Sequence, residues 1–94
     1  MEVRIIGIKK AGGDHYDPHE AVSYYQWLNE QSSESNLASR VDMVSWVEQG
    51  NRAYVRDNRG IVDCRVRTSQ NGTKFLQTYA DGRWTDNLLN LPEA

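Results

Sequence analysis

RAYVRDNRGIVDCRVRTSQNGTKFLQTY, running from Arg52 to Tyr79, decides the fold of this 94-residue chain. Within it Arg52–Arg56, Ile61–Thr68 and Lys74–Tyr79 are rich in β-branched and aromatic residues. Asp57-Asn58-Arg59-Gly60 and Gln70-Asn71-Gly72-Thr73 separate them, and Asn and Gly supply the left-handed positions that tight hairpins need. The stretch therefore predicts three consecutive antiparallel strands. Their register follows from keeping one side apolar, because a one-residue slip exchanges the two faces of a strand. Pairing Arg56 with Ile61 sets Val55 opposite Val62 and Ala53 opposite Cys64. A tight turn at Asn71-Gly72 pairs Thr68 with Phe75 and places Phe75 beside Cys64 and Val66; a one-residue bulge at Gly72 places Leu76 there instead. Both registers stay open. Tyr54, Arg56, Asp63, Arg65 and Arg67 belong to the opposite face.

Working outward, Val3–Lys9 is β-branched and ends at Ala11-Gly12-Gly13, which predicts a further strand. Asp17-Pro18-His19-Glu20 has the form of a helix start, yet Tyr24, Tyr25 and Trp27 favour a strand over 21–28. The strand is the preferred reading there, and the Ser-rich Asn29–Asn36 is expected to be a loop. The clear helix is Arg40–Gln49, with Ser39 as N-cap, Asp42 at its third position and Gly50 able to end it. Val41, Val44 and Val47, flanked by Met43 and Trp46, are its expected apolar face. In the closing DGRWTDNLLNLPEA, Asp81-Gly82 makes a turn, Asp86-Asn87 caps a helical turn, and Leu88, Leu89 and Leu91 cover the core. The expected architecture is α+β, a single domain over 1–94. It has an antiparallel sheet of four to five strands, one main helix over about 40–49 on one face, and a docked C-terminal tail.

Composition narrows the class of protein. Three Trp and five Tyr offset a lean 38% hydrophobic content, so a packed core is expected rather than disorder. No apolar run approaches the length of a membrane span and no leader opens the chain, which predicts a cytoplasmic protein with no membrane role. The lone Cys64 agrees with a reducing compartment. Net charge is −2 but unevenly placed: residues 52–83 carry seven bases against three acids, leaving the remainder acidic.

No catalytic constellation emerges from the residues, and no cofactor motif is present. His15 and His19 sit with Asp17 and Glu20 and are weak metal candidates, because Pro18 breaks the helix on which the two imidazoles would converge. Cys64 is expected on the inner face, where a thiol is inert. Two surface readings remain. Trp27, Arg83 and Trp84 are candidates for a groove between tail and sheet that takes a peptide or small ligand. Arg52, Tyr54, Arg56, Arg65 and Arg67 share one sheet face and are candidates for nucleic-acid or polyanion binding. A protein partner or a homodimer through an exposed strand edge is also compatible with the pattern.

Ile5-Ile6-Gly7-Ile8-Lys9-Lys10, Pro18-His19-Glu20 leading to Trp27, Asp42-Met43-Val44-Ser45-Trp46, Arg52-Ala53-Tyr54-Val55, Phe75-Leu76-Gln77-Thr78 and the tail DGRWTDNLLNLP together resemble the small bacterial proteins grouped as domain of unknown function 3892. The likeness spans nearly the whole chain and is most specific in the tail. It implies a compact α+β unit, supports a strand within 21–28, and implies no reaction, cofactor or partner. The functional expectation is a small non-catalytic binding module. Its alternatives are polyanion binding through the Arg face and, less favoured, a metal-dependent enzyme.

Overall fold

The computed structural model describes residues 2–10, 21–58 and 60–93. Its elements are β1 (Glu2–Lys10), β2 (Val22–Leu28), β3 (Ser35–Ser39), α1 (Arg40–Glu48), β4 (Arg52–Asp57), β5 (Gly60–Thr68), β6 (Lys74–Ala80) and β7 (Arg83–Thr85). The Asp17-Pro18 helix start lies outside the described residues.

All seven strands join one sheet in the order β3-β2-β1-β4-β5-β6-β7. The expectation of four to five antiparallel strands is corrected in both number and direction. Neighbours are antiparallel except β1 and β4, which run parallel from Glu2↔Arg52 to Arg4↔Tyr54. Topology requires that exception. The chain leaves β1 outward through β2 and β3, and α1 then carries it back over one face to the free edge of β1; a crossover of this kind returns a strand parallel to the first. The two unforeseen strands are both edges. Ser35 and Asn36 of β3 lie in the stretch expected to be loop and its last residue, Ser39, is the helix N-cap, while RWT of β7 is too short to carry an alternation signal. At the β3 edge the main-chain N–H of Leu37 donates to Asn36 Oδ1 at 2.8 Å.

The strand over 21–28 and the hairpin pairing of Arg56 with Ile61 and Val55 with Val62 are as expected. At the last hairpin the bulged register holds. Thr68 pairs with Lys74 and Val66 with Leu76, across a loop in which Gly72 has φ +83°. Leu76 therefore joins Cys64 in the core, while Phe75 belongs to the other face and is buried there.

Ser39 caps α1 as its sequence indicates, its Oγ accepting from the Asp42 N–H at 3.2 Å. The apolar face is displaced from the valine stripe. Met43 and Val44 are buried with Trp46 and Val47 packed alongside, whereas Val41 is 68% exposed. At 100° per residue Val41 stands about 160° around the helix from Met43, so it cannot share the face that Trp46 and Val47 complete.

β1 pairs with β4 only through Arg4. Farther along β1 the tail replaces β4: the Ile8 N–H donates to the Pro92 carbonyl at 3.1 Å, and Ile8 bridges in parallel to Glu93. Leu88 is fully buried, Leu89 and Leu91 pack on the core, and Asn87 Nδ2 donates to Asp57 Oδ2 at 2.6 Å where β4 ends. The Asp81-Gly82 turn has both residues at positive φ, +54° and +79°, as a two-residue type I′ hairpin requires.

One side chain shows how strongly the sheet curls. Tyr25 of β2 is fully buried, and its hydroxyl accepts from the Leu76 N–H of β6 at 3.1 Å, although β1, β4 and β5 lie between those strands. Pairing of β6 with β7 stops at Thr78, so Leu76 has no β7 partner for this donor. Removing the hydroxyl strands a buried N–H, which costs about 1–3 kcal/mol. Tyr25→Phe is expected to lower the urea midpoint accordingly, whereas the exposed Val41→Ala is expected to stay within about 0.5 kcal/mol of wild type.

Candidate functional site

The helix covers the concave face incompletely. Between α1, β2 and β3 a groove of about 290 Å³ remains, with the buried Val3 and Met43 among its lining, the half-buried indoles of Trp27 and Trp46, and Ala38 of β3. Asn29 and the exposed Glu34 and Asp42 complete it. Each residue has a structural reason to be there. Trp27 follows Tyr25 on the inward side of β2, and Trp46 stands one helical turn after Met43. Asn29 folds the β2–β3 connection on itself: its Oδ1 accepts from the Gln31 and Ser32 N–H groups, its own N–H donates to the Glu34 carbonyl at 2.8 Å, and Ser33 takes φ +64°. That connection holds Glu34 at the groove. The carboxylates of Glu34 and Asp42 have no ion pair or hydrogen bond among the described residues. A lining of this size suits a side-chain-sized group better than a dinucleotide.

The opposite sheet face carries the arginines, and there the charges divide into two sets. Arg52 donates to Asp63 at 2.7 Å and to Glu2 at 3.1 Å, and these two carboxylates hold its guanidinium pKa above the ordinary value. Glu30, from the β2–β3 connection, accepts from the Tyr54 hydroxyl and from Arg56 at 2.9 Å, and lies 4.0 Å from Arg4. These partners, Tyr54 first, draw the Glu30 carboxyl below the ordinary glutamate value. Tyr54 itself is buried, and burial and the Glu30 carboxylate raise its pKa. Arg52, Tyr54 and Arg56 are thus occupied within the protein.

Arg65 and Arg67 are different. Arg65 lies 4.2 Å over the Tyr79 ring and Arg67 5.0 Å over the Trp84 ring, while the two rings meet edge-to-face at 5.1 Å. Arg67 donates to Gln77 Oε1 at 2.9 Å, and neither guanidinium meets a carboxylate among the described residues.

Sequence reasoning placed Trp27, Trp84 and Arg83 around one groove, and the structure does not bring them together. Trp27 faces the helix, Trp84 lies with the arginines on the far face, and four strands intervene between β2 and β7. Arg83 is exposed at the start of β7. The groove at Trp27 is completed by Trp46, Met43, Glu34 and Asp42 instead, none of them read as site residues. Trp46 was legible only as a core anchor, and Glu34 sits in the stretch expected to be loop. Cys64 is buried as expected, and burial, then the neighbouring Asp63 charge, push its thiol pKa up to about 12. Among the described residues no three His, Cys, Asp or Glu side chains gather as a metal site, and His15 and His19 lie outside them.

A strongly curled mixed sheet, one short helix across its hollow and a tail that takes over from a diverging strand define a small α+β module. The chain belongs to the family described as a protein of unknown function, DUF3892, whose model matches residues 4–92. No curated protein and no solved structure matches it. No helix among the described residues is long and apolar enough to cross a membrane.

The Glu30 cluster makes a pH prediction. A carboxyl whose folded pKa is depressed adds stability above its unfolded pKa, and that stability is lost as pH falls through the folded value. Thermal midpoints of wild type and Glu30→Gln are therefore expected to differ most at neutral pH. The gap should narrow on acidification from the ordinary glutamate value near 4.5 downwards.

Proposed function

We propose that this chain is a small non-catalytic binding module and that its site is the Trp27–Trp46 groove. The observation that carries this reading is the groove itself: two half-buried indoles face a concavity of about 290 Å³ with buried apolar side chains in its lining. Closing such a surface over a ligand removes apolar area from water, which is the commonest source of affinity in small-molecule and side-chain pockets. The buried, high-pKa state of Cys64 supports binding over thiol chemistry.

Indole or a comparable neutral aromatic serves as the general probe, followed by tryptophan fluorescence and by the indole N–H resonances. Trp27→Ala is expected to weaken binding about tenfold, in line with loss of an aromatic anchor. Ala38→Leu, which fills the groove from β3, is expected to block it, and Trp84→Ala on the opposite face to leave it unchanged. Binding that survives both groove substitutions in folded protein refutes the reading.

A second reading rests on Arg65 and Arg67, whose guanidiniums are held over aromatic rings without carboxylate partners. The polyanion face first expected to include Arg52, Tyr54 and Arg56 contracts to this pair. Their stacked rings are covered by the guanidiniums, which favours phosphate contact over base stacking. On this reading an oligonucleotide binds with an affinity that falls with salt, and Arg65→Ala with Arg67→Ala lowers the slope of log K against log salt by about 2. No binding at low salt disposes of it.

A further inference from the structure

We propose that the groove recognises an alkylated ammonium group, a compact organic cation with a methylated head. This rests on the assignment of the groove as the binding site and specifies what fills it. Two features coincide in its lining: two indole side chains and two carboxylates without an ion pair among the described residues. Among the described residues no cation lies over the Trp27 or Trp46 ring, whereas on the opposite face Tyr54, Tyr79 and Trp84 each have a guanidinium stacked on them. The negative quadrupole of an aromatic face attracts a weakly hydrated cation, and indole does so best. In the groove that capacity is unused.

Glu34 and Asp42 add formal charge, and no basic side chain lines the groove among the described residues. Charge decides between ligand classes. A neutral ligand closing the groove draws water from two carboxylates and returns no counter-charge, a cost that grows with burial. An anion is repelled by both. A bare metal ion finds two carboxylates among indoles and a thioether, too few hard donors for its shell. A primary ammonium is strongly hydrated and gives up its water reluctantly. A methylated ammonium keeps its charge, sheds water easily, and offers methyl groups to Trp27, Trp46 and Met43 while Glu34 and Asp42 balance its charge. The groove of about 290 Å³ holds a group of that size with a short stem.

The test compares choline with 3,3-dimethylbutan-1-ol, which replaces the quaternary nitrogen by carbon and keeps the shape. Indole N–H shifts of Trp27 and Trp46 in the full chain report occupancy. Choline is expected to bind at least about tenfold tighter than the neutral alcohol, the range a cation–π site with partial desolvation provides. Glu34→Gln with Asp42→Asn is expected to bring the two affinities together by weakening choline alone. Glu34→Gln by itself, which leaves the Asp42 end of α1 intact, is expected to give part of that loss. Equal affinities in the wild type overturn the cation assignment and leave the groove as a general apolar site. Selectivity that persists in the double variant overturns the role of the two carboxylates. Indole binding without either probe also overturns the cation assignment, and silence from all three probes removes the groove reading with it.

Discussion

A single tyrosine hydroxyl holds the two ends of the sheet in register with one another. Tyr25 starts on the second strand from one edge and meets the backbone of the second strand from the other. A flat sheet would keep those strands far apart, since neighbours are spaced by nearly 5 Å. Coiling of the sheet brings them together around the apolar interior. The buried phenol is held neutral, its pKa raised by burial, so it presents an uncharged acceptor to the Leu76 N–H. Much else depends on that closure. The hollow has room for one helix of nine residues, and the helix cannot fill all of it, which is why a groove remains beside Trp46.

The tail is the other half of the same solution. Once β4 turns away from β1 after Arg4, the remaining length of β1 would face the core with unpaired backbone groups. Pro92 and Glu93 take those positions, and Leu88 fills the space below. The terminal segment is therefore a structural substitute for a strand. Its specific sequence is accounted for by the turn at Asp81-Gly82, the Asn87 contact to Asp57 and the buried leucines.

Most of the fold could be read from local chemistry, and the departures have physical causes. Ser39, Gly50 and the two hairpin turns announce their roles because capping and left-handed positions restrict residue choice. The last register was ambiguous between Phe75 and Leu76 because both are large and apolar, and both are in fact buried, on opposite faces. The parallel contact of β1 with β4 is a tertiary event that no local pattern encodes. The groove was half legible: Trp27 stood out by type, but its partners lie on α1, in the β2–β3 connection and on β3, and only the tertiary fold gathers them. The arginine face was recognised as a unit, yet its division into guanidiniums with and without carboxylate partners depends on where Glu2, Glu30 and Asp63 land.

The contact at the β3 edge bears on how this molecule behaves in company. An outer strand normally offers a ladder of donors and acceptors to any passing chain. Here Asn36 occupies the central donor of a five-residue strand from its own side chain. An incoming strand must first displace that amide before it can extend the sheet. The protein thus carries a small built-in barrier to self-templated aggregation on the flank that lies closest to its groove.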